Sequence, residues 1–173
     1  MTTTPPIQPD PKRKWYGLAL RHLRMAYRLL DSGFPDGAIF HTYHAYECVL
    51  SAFIAANGCP VPPVGRIPLV SPTGKKIFVY PSPKGDIPDR GTHKARQMFF
   101  AKLADTMKPY YLRHTNLSRY LTLDDRMDSL YYDAIGNRLP HEIYNHSFVV
   151  NLIPEVNSFA RDVWRDIRYS VSF

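Results

Sequence analysis

Cysteine is scarce in these 173 residues: Cys48 and Cys59 are the two present. Two thiols are too few for a disulfide scaffold, and they do not have zinc-ligand spacing. Long apolar runs are absent too. None approaches the roughly 18 residues that a membrane span requires. The start, Met-Thr-Thr-Thr-Pro-Pro-Ile-Gln-Pro-Asp-Pro, carries no apolar stretch of the secretory kind. These absences lead to the expectation of a cytoplasmic protein with reduced thiols and no membrane partner. There is no Gly-rich phosphate loop, no internal repeat and no Ser-His-Asp spacing, so nucleotide-loop and serine-hydrolase chemistry drop out. Acid is also in short supply. Fifteen Asp and Glu face 22 Lys and Arg, a formal charge of +7, with a pI near 9.5. That excess favours polyanion partners without bearing on the fold.

What is present argues for a folded domain. The hydrophobic share is 45% and the aromatic share 13%, which excludes global disorder. The length suits one domain with a real core. Residues 1–11, with four prolines and three threonines, read as a flexible N-terminal arm. From Lys12, Tyr16, Leu20, Leu23, Tyr27 and Leu30 recur at steps of four and three, which predicts a first helix ending near Asp31-Ser32-Gly33. Pro35 and Asp36 suit the first turn of a second helix running to Asn57-Gly58. Its apolar residues surround most of the circumference, so it belongs at the centre of a bundle. The link between the two is short, which makes them antiparallel neighbours.

Composition then shifts. Residues 59–91 hold eight prolines and form an insertion rather than a helix. Within it, Ile67–Val70 and Lys75–Tyr80 flank the turn Ser71-Pro-Thr-Gly74 and predict a β-hairpin at about 64–84. Pro68 confines the first strand to an edge. Lys75 and Lys76 make the insertion basic and are candidates for nucleic-acid contact. Thr92 is placed to cap a third helix, with Ala95, Met98, Phe99 and Leu103 on its apolar side. Residues 110–121 interleave aromatic and basic side chains. Arg113 and Arg119 there are further candidates for nucleic-acid binding, since rings stack on bases while cations meet phosphates. Thr122 and Asp125 resemble a capping box before a fourth helix through Met127, Leu130 and Ile135. In the last helix, capped by Ser147, Val149, Ile153, Val156, Ala160, Val163 and Ile167 form the cleanest helical stripe, and Pro154 implies a kink or a later start. The fold class is therefore all-α, an antiparallel up-and-down bundle of about five helices with a small hairpin insertion. Residues 12–173 form one domain.

Two constellations could carry chemistry. His41, His44 and Glu47 fall at steps of three on the second helix, but no clear further ligand accompanies them. No metal and no cofactor are expected, because a buried hydrogen-bonded group explains such a pattern as well. The second is Gly136-Asn-Arg-Leu-Pro-His-Glu-Ile-Tyr144, at a helix-helix junction. There Arg138, His141 and Tyr144 lie within seven positions, and His146 follows closely. A guanidinium, an imidazole and a phenol can act together on a phosphate; the same residues also make an ordinary polar turn.

The stretch Gly33–Gly58 and the stretch Asn137–Tyr144 followed by a long last helix resemble the HEPN family (higher eukaryotes and prokaryotes nucleotide-binding). The first is a short gap and an Ala-rich helix bearing Tyr and Glu near its middle. The second supplies Arg and His ahead of the last helix. The resemblance implies an antiparallel helical bundle that homodimerises. It implies a metal-independent endoribonuclease of a toxin or defence system, or a non-catalytic dimeric module that binds RNA, a nucleotide or a protein partner such as a nucleotidyltransferase antitoxin. The family motif is an Arg, a short spacer and a His. Here two residues separate Arg138 from His141, and seven separate Arg138 from His146. Arg138 would hold the phosphate and His141 or His146 would act as acid and base. Tyr144 would orient the phosphate or stack a base.

Overall fold

The first helix is dictated at its start. Asp10 accepts a hydrogen bond from the Lys12 amide at 3.2 Å through its side chain, and Pro11 occupies the first helical position. That combination satisfies an orphan donor and pre-sets the backbone. The computed structural model describes residues 10–104, 109–121 and 143–169. In it α1 spans Pro11–Asp31. Gly33 closes the helix with φ near 81°, a conformation a side chain would strain. The buried positions are Ala19, Leu23, Ala26 and Leu30. The small alanines, rather than the exposed Tyr27 of the expected stripe, take the centre of the helix contact because they let two backbones approach closely.

α2 spans Pro35–Ala56 and is buried almost throughout from Ala38 to Ile54. It packs against α1, α3 (Thr92–Ala104) and α5 (His146–Tyr169). α1 and α2 run antiparallel. Gly37 faces Leu29, His41 and His44 face His22, and Gly58 shares a groove with Lys12. α5 covers another side through Val149, Ile153, Val156, Phe159, Ala160, Val163 and Ile167, all buried. Its Trp164 stacks on Tyr16 of α1, with ring centroids 4.6 Å apart. The chain is thus mostly α-helical with a small β insertion, as the sequence implied.

The insertion contains β1 (Ile67–Val70), β2 (Lys76–Tyr80) and β3 (Ile87–Pro88). β1 pairs antiparallel with β2 at Ile67–Val79 through Val70–Lys76, and β2 pairs with β3 at Tyr80–Ile87. β1 is an edge strand, where Pro68 is tolerated. The third strand was not anticipated, because two residues give no periodicity. Its Ile87 and its neighbour Tyr80 are fully buried, and they seal the hairpin base onto the bundle. At Gly65 a Cβ would lie 2.5 Å from Pro60, so the bend entering the hairpin needs glycine there.

Two helix starts differ from expectation, one by a single position and the other by two. In α3 the Gly91 carbonyl accepts the Ala95 amide at 2.9 Å, so Gly91 is the capping position and Thr92 is the first helical residue. In α5 the cap is Asn145 rather than Ser147, as described below. Pro154 sits inside α5, which continues through it. The carbonyl it deprives of a partner belongs to Val150, which is exposed and can be hydrated instead. A 3₁₀ turn (Pro109–His114) and the short α4 (Leu117–Tyr120) fill the span of interleaved aromatic and basic residues. The expected fourth helix through Met127 and its Thr122–Asp125 cap lie outside the described residues. Among the described residues, no helix is long and apolar enough to cross a membrane.

The core holds two phenols in opposite circumstances. The Tyr46 hydroxyl is buried without a hydrogen-bond partner among the described residues, whereas the Tyr111 hydroxyl donates to Asp166 at 2.8 Å. Tyr46→Phe is expected to stabilise the fold by up to about 1–3 kcal/mol, and Tyr111→Phe to destabilise it by about 1.5–3 kcal/mol. Urea unfolding of both variants checks the opposite signs.

Candidate functional site

The start of α5 is built by Asn145. Its Oδ1 accepts from the Phe148 amide at 2.9 Å and from the Ser147 hydroxyl at 2.7 Å. A short amide side chain reaches the third helical amide well, so Asn145 caps and Ser147 becomes the second helical residue. Just before it, Tyr144 is 4% exposed and belongs to the core cluster, its ring 6.4 Å from Phe148. His146 is exposed at the first position of the helix. Arg138 and His141 lie outside the described residues.

Beside these first turns of α5 opens a cleft of about 400 Å³, whose other walls are the 3₁₀ turn and α4. Arg113, Asn116, Tyr120, Phe148, Asn151 and Glu155 line it. Tyr120 and Phe148 are 53% and 38% exposed, unusually open for large rings. The Asn151 amide donates to the Ser147 carbonyl at 2.8 Å, which orients its side chain. Of the expected nucleic-acid contacts, Arg113 lines this cleft. Arg119 lies next to Tyr120 on α4, exposed, but not in the lining. Lys75 and Lys76 are on the hairpin instead. There Lys76 and Arg66 flank Phe78, with Lys76 Nζ at 5.5 Å and Arg66 Cζ at 4.5 Å from the ring centroid.

Arg113 does not face the cleft as a free cation. Its Nη2 donates to Asp162 at 2.5 Å, and Asp162 is almost fully buried. The same carboxylate meets Arg165 at 3.2 Å and His114 Nε2 at 2.7 Å. One turn on, Asp166 accepts from Tyr110 at 2.7 Å and from Tyr111 at 2.8 Å. Two acids of α5 thus clamp four residues of the 3₁₀ turn, Tyr110, Tyr111, Arg113 and His114. Burial lowers the His114 pKa below the ordinary imidazole value, against the raising pull of Asp162. In its neutral form the ring donates Nε2–H to Asp162 and leaves Nδ1 as a buried acceptor with no hydrogen-bond partner among the described residues. This network escaped the sequence reading. Its one visible signal is that Asp162 falls three residues after Phe159, at the border of the apolar stripe.

A second polar cluster surrounds Glu47 in the middle of α2. His44 Nδ1 lies 3.7 Å from its carboxylate and Arg96 Nη1 lies 3.5 Å from it; His93 Nδ1 contacts it directly. Alongside, His22 and His41 meet Nδ1 to Nδ1 at 3.0 Å, one ring donating and the other accepting. The sequence had joined His41, His44 and Glu47; His22 and His93 join only through helix packing. Among the described residues no group of three or more His, Cys, Asp or Glu is arranged to hold a metal ion. The geometry explains this: the nitrogens turn to one another and to Glu47 instead of converging on one point. Arg96 also donates to the Pro62 carbonyl at 3.0 Å, tying the insertion to this cluster. Cys48 beside it is buried and its thiol is pushed up to about 11, which makes it inert near neutral pH.

No protein-family model, curated protein or solved structure matches the chain. The reading of the site therefore rests on its own residues.

His22, His41 and His114 are all held below the ordinary imidazole value, chiefly by burial. The unfolded chain takes up these protons near pH 6.5 while the folded chain resists. Their contribution to stability is thus complete above about pH 6.5 and is lost as pH falls from there towards the folded values. Thermal unfolding followed from pH 7.5 to 5.5 is expected to show a falling midpoint. His41→Gln is expected to flatten that slope, because it removes one such group and relieves His22.

Proposed function

We propose that this chain is an RNA-associated helical bundle of the HEPN kind that cleaves RNA without a metal ion at residues 137–146. The observation that supports the RNA reading is the cleft beside α5. It combines two open aromatic rings, an arginine and amide side chains in a volume at the lower end of the roughly 300–1,000 Å³ of small-molecule sites. Rings of this kind stack unpaired bases, and the chain's charge of +7 draws a polyanion towards them. In the sequence, Asn137, Arg138 and His141 come just ahead of the helix that supplies Phe148 and Asn151 to that cleft.

The chemistry follows from those side chains. One histidine, His141 or His146, takes the proton of a 2′-hydroxyl, whose oxygen attacks the adjacent phosphorus. The second gives a proton to the departing 5′-oxygen, so a 2′,3′-cyclic phosphate and a free 5′-hydroxyl result. Arg138 pairs bidentately with the phosphate and stabilises the charge of the phosphorane. A homodimer would supply two such sets of residues.

A second reading, a non-catalytic dimeric module for RNA, a nucleotide or a protein partner, is favoured by one observation. Tyr144 lies in the core, which withdraws one of the four polar groups from RNA. Incubation of a mixed RNA pool in EDTA with wild type, Arg138→Ala and His141→Ala separates the two. Cleavage that falls at least about 100-fold in both folded variants supports the nuclease. Binding without cleavage by wild type supports the module. Cleavage unchanged in both variants removes this turn as the site. Tyr120→Ala is expected to weaken RNA binding about tenfold in either case.

A further inference from the structure

The cleft beside α5 carries an acid, Glu155, where a phosphate site would carry only cations. Among the described residues its one lining guanidinium, Arg113, is already paired with buried Asp162 at 2.5 Å and lies 3.4 Å from the Ser158 hydroxyl. The described charges lining the cleft, Arg113 paired with Asp162 and the acid Glu155, therefore favour a group that donates hydrogen bonds over a phosphate. The open rings of Tyr120 and Phe148 favour a flat aromatic group. Together these select a nucleobase, with the sugar-phosphate left towards solvent.

The bases differ in what they offer a carboxylate. Guanine presents two adjacent donors, N1–H and the N2 amino group, which a carboxylate accepts side by side. Adenine and cytosine place a bare ring nitrogen next to their amino group, and a carboxylate is repelled by that lone pair. Uracil flanks its single N–H with two carbonyls. Asn116 makes no capping bond with its side chain, so its amide can donate to guanine O6. Asn151 spends an N–H on Ser147 and keeps an acceptor oxygen. We propose that this cleft selects guanine in single-stranded RNA, read by Glu155 and stacked by Tyr120 and Phe148. The proposal rests on the RNA reading above and adds the base to it.

The test is calorimetric titration of the full chain with GMP, AMP, CMP, UMP and inosine monophosphate. It is run alongside anisotropy of a labelled single-stranded oligouridine with and without one central guanosine. GMP is expected to bind at least about tenfold more tightly than the other three common nucleotides, since each charge-assisted hydrogen bond carries about that much. Inosine monophosphate, lacking the N2 amino group, falls between. Glu155→Gln, an exposed substitution checked by unchanged thermal unfolding, is expected to weaken GMP about tenfold without weakening UMP. Equal affinity for the four nucleotides, or a guanine preference that survives in Glu155→Gln, overturns the proposal. RNA bound without base preference overturns guanine selection and leaves the RNA reading standing. GMP bound with no affinity for guanosine-containing RNA does the reverse: it makes a free guanine nucleotide the ligand and removes RNA. Binding of neither overturns both.

Discussion

α2 has no face it can leave to water. From Ala38 to Ile54 nearly every residue is buried, so other elements must surround it for the chain to fold at all. Apolar burial stabilises at about 25 cal/mol per Å², and a helix apolar on all sides collects that gain only when covered on all sides. α1, α3 and α5 do the covering. The same helix carries Glu47 into the interior, and an ionised carboxylate there is costly unless it is paired. His93 and Arg96 of α3 meet it, together with His44 from its own helix. The polar group thus fixes what the apolar surface alone would leave loose, namely the rotational setting of α3 against α2.

The second organising contact is the clamp between the 3₁₀ turn and α5. Tyr110, Tyr111, Arg113 and His114 converge on Asp162 and Asp166. A 3₁₀ turn has weak internal hydrogen bonds, so its position depends on what holds it from outside. Here that is a pair of acids one helical turn apart. The clamp places a wall of the cleft beside α5 and also pairs Arg113 with Asp162. A structural interaction therefore sets the charge partners of the neighbouring surface: the arginine that lines the cleft is paired with a buried acid.

The hairpin makes a separate basic surface. Its strands are exposed along much of their length, and Phe78 lies between Arg66 and Lys76. Only its base, at Tyr80 and Ile87, is sealed into the bundle. Lys75 at its turn and the cleft beside α5 thus belong to different parts of the molecule.

The sequence by itself determined the long helices and the hairpin. Steps of three and four marked α1, α3 and α5, a Pro/Gly turn between β-prone runs marked the hairpin, and a Pro-Asp start with apolar residues all round marked α2 and put it at the centre. These signals are local, since periodicity and turn chemistry act over a few residues. Helix starts were misplaced by a residue or two at Thr92 and Ser147 because a cap depends on backbone geometry that neighbouring polar residues share equally. Only the tertiary structure decided the polar partnerships. Glu47 meets His93 across 46 positions and His114 meets Asp162 across 48, distances over which a sequence has no period to display. It also decided that Arg113 stands beside Tyr120, Phe148 and Glu155 in one cleft. Those residues come from three elements that lie near each other only because the core they cover brings them together.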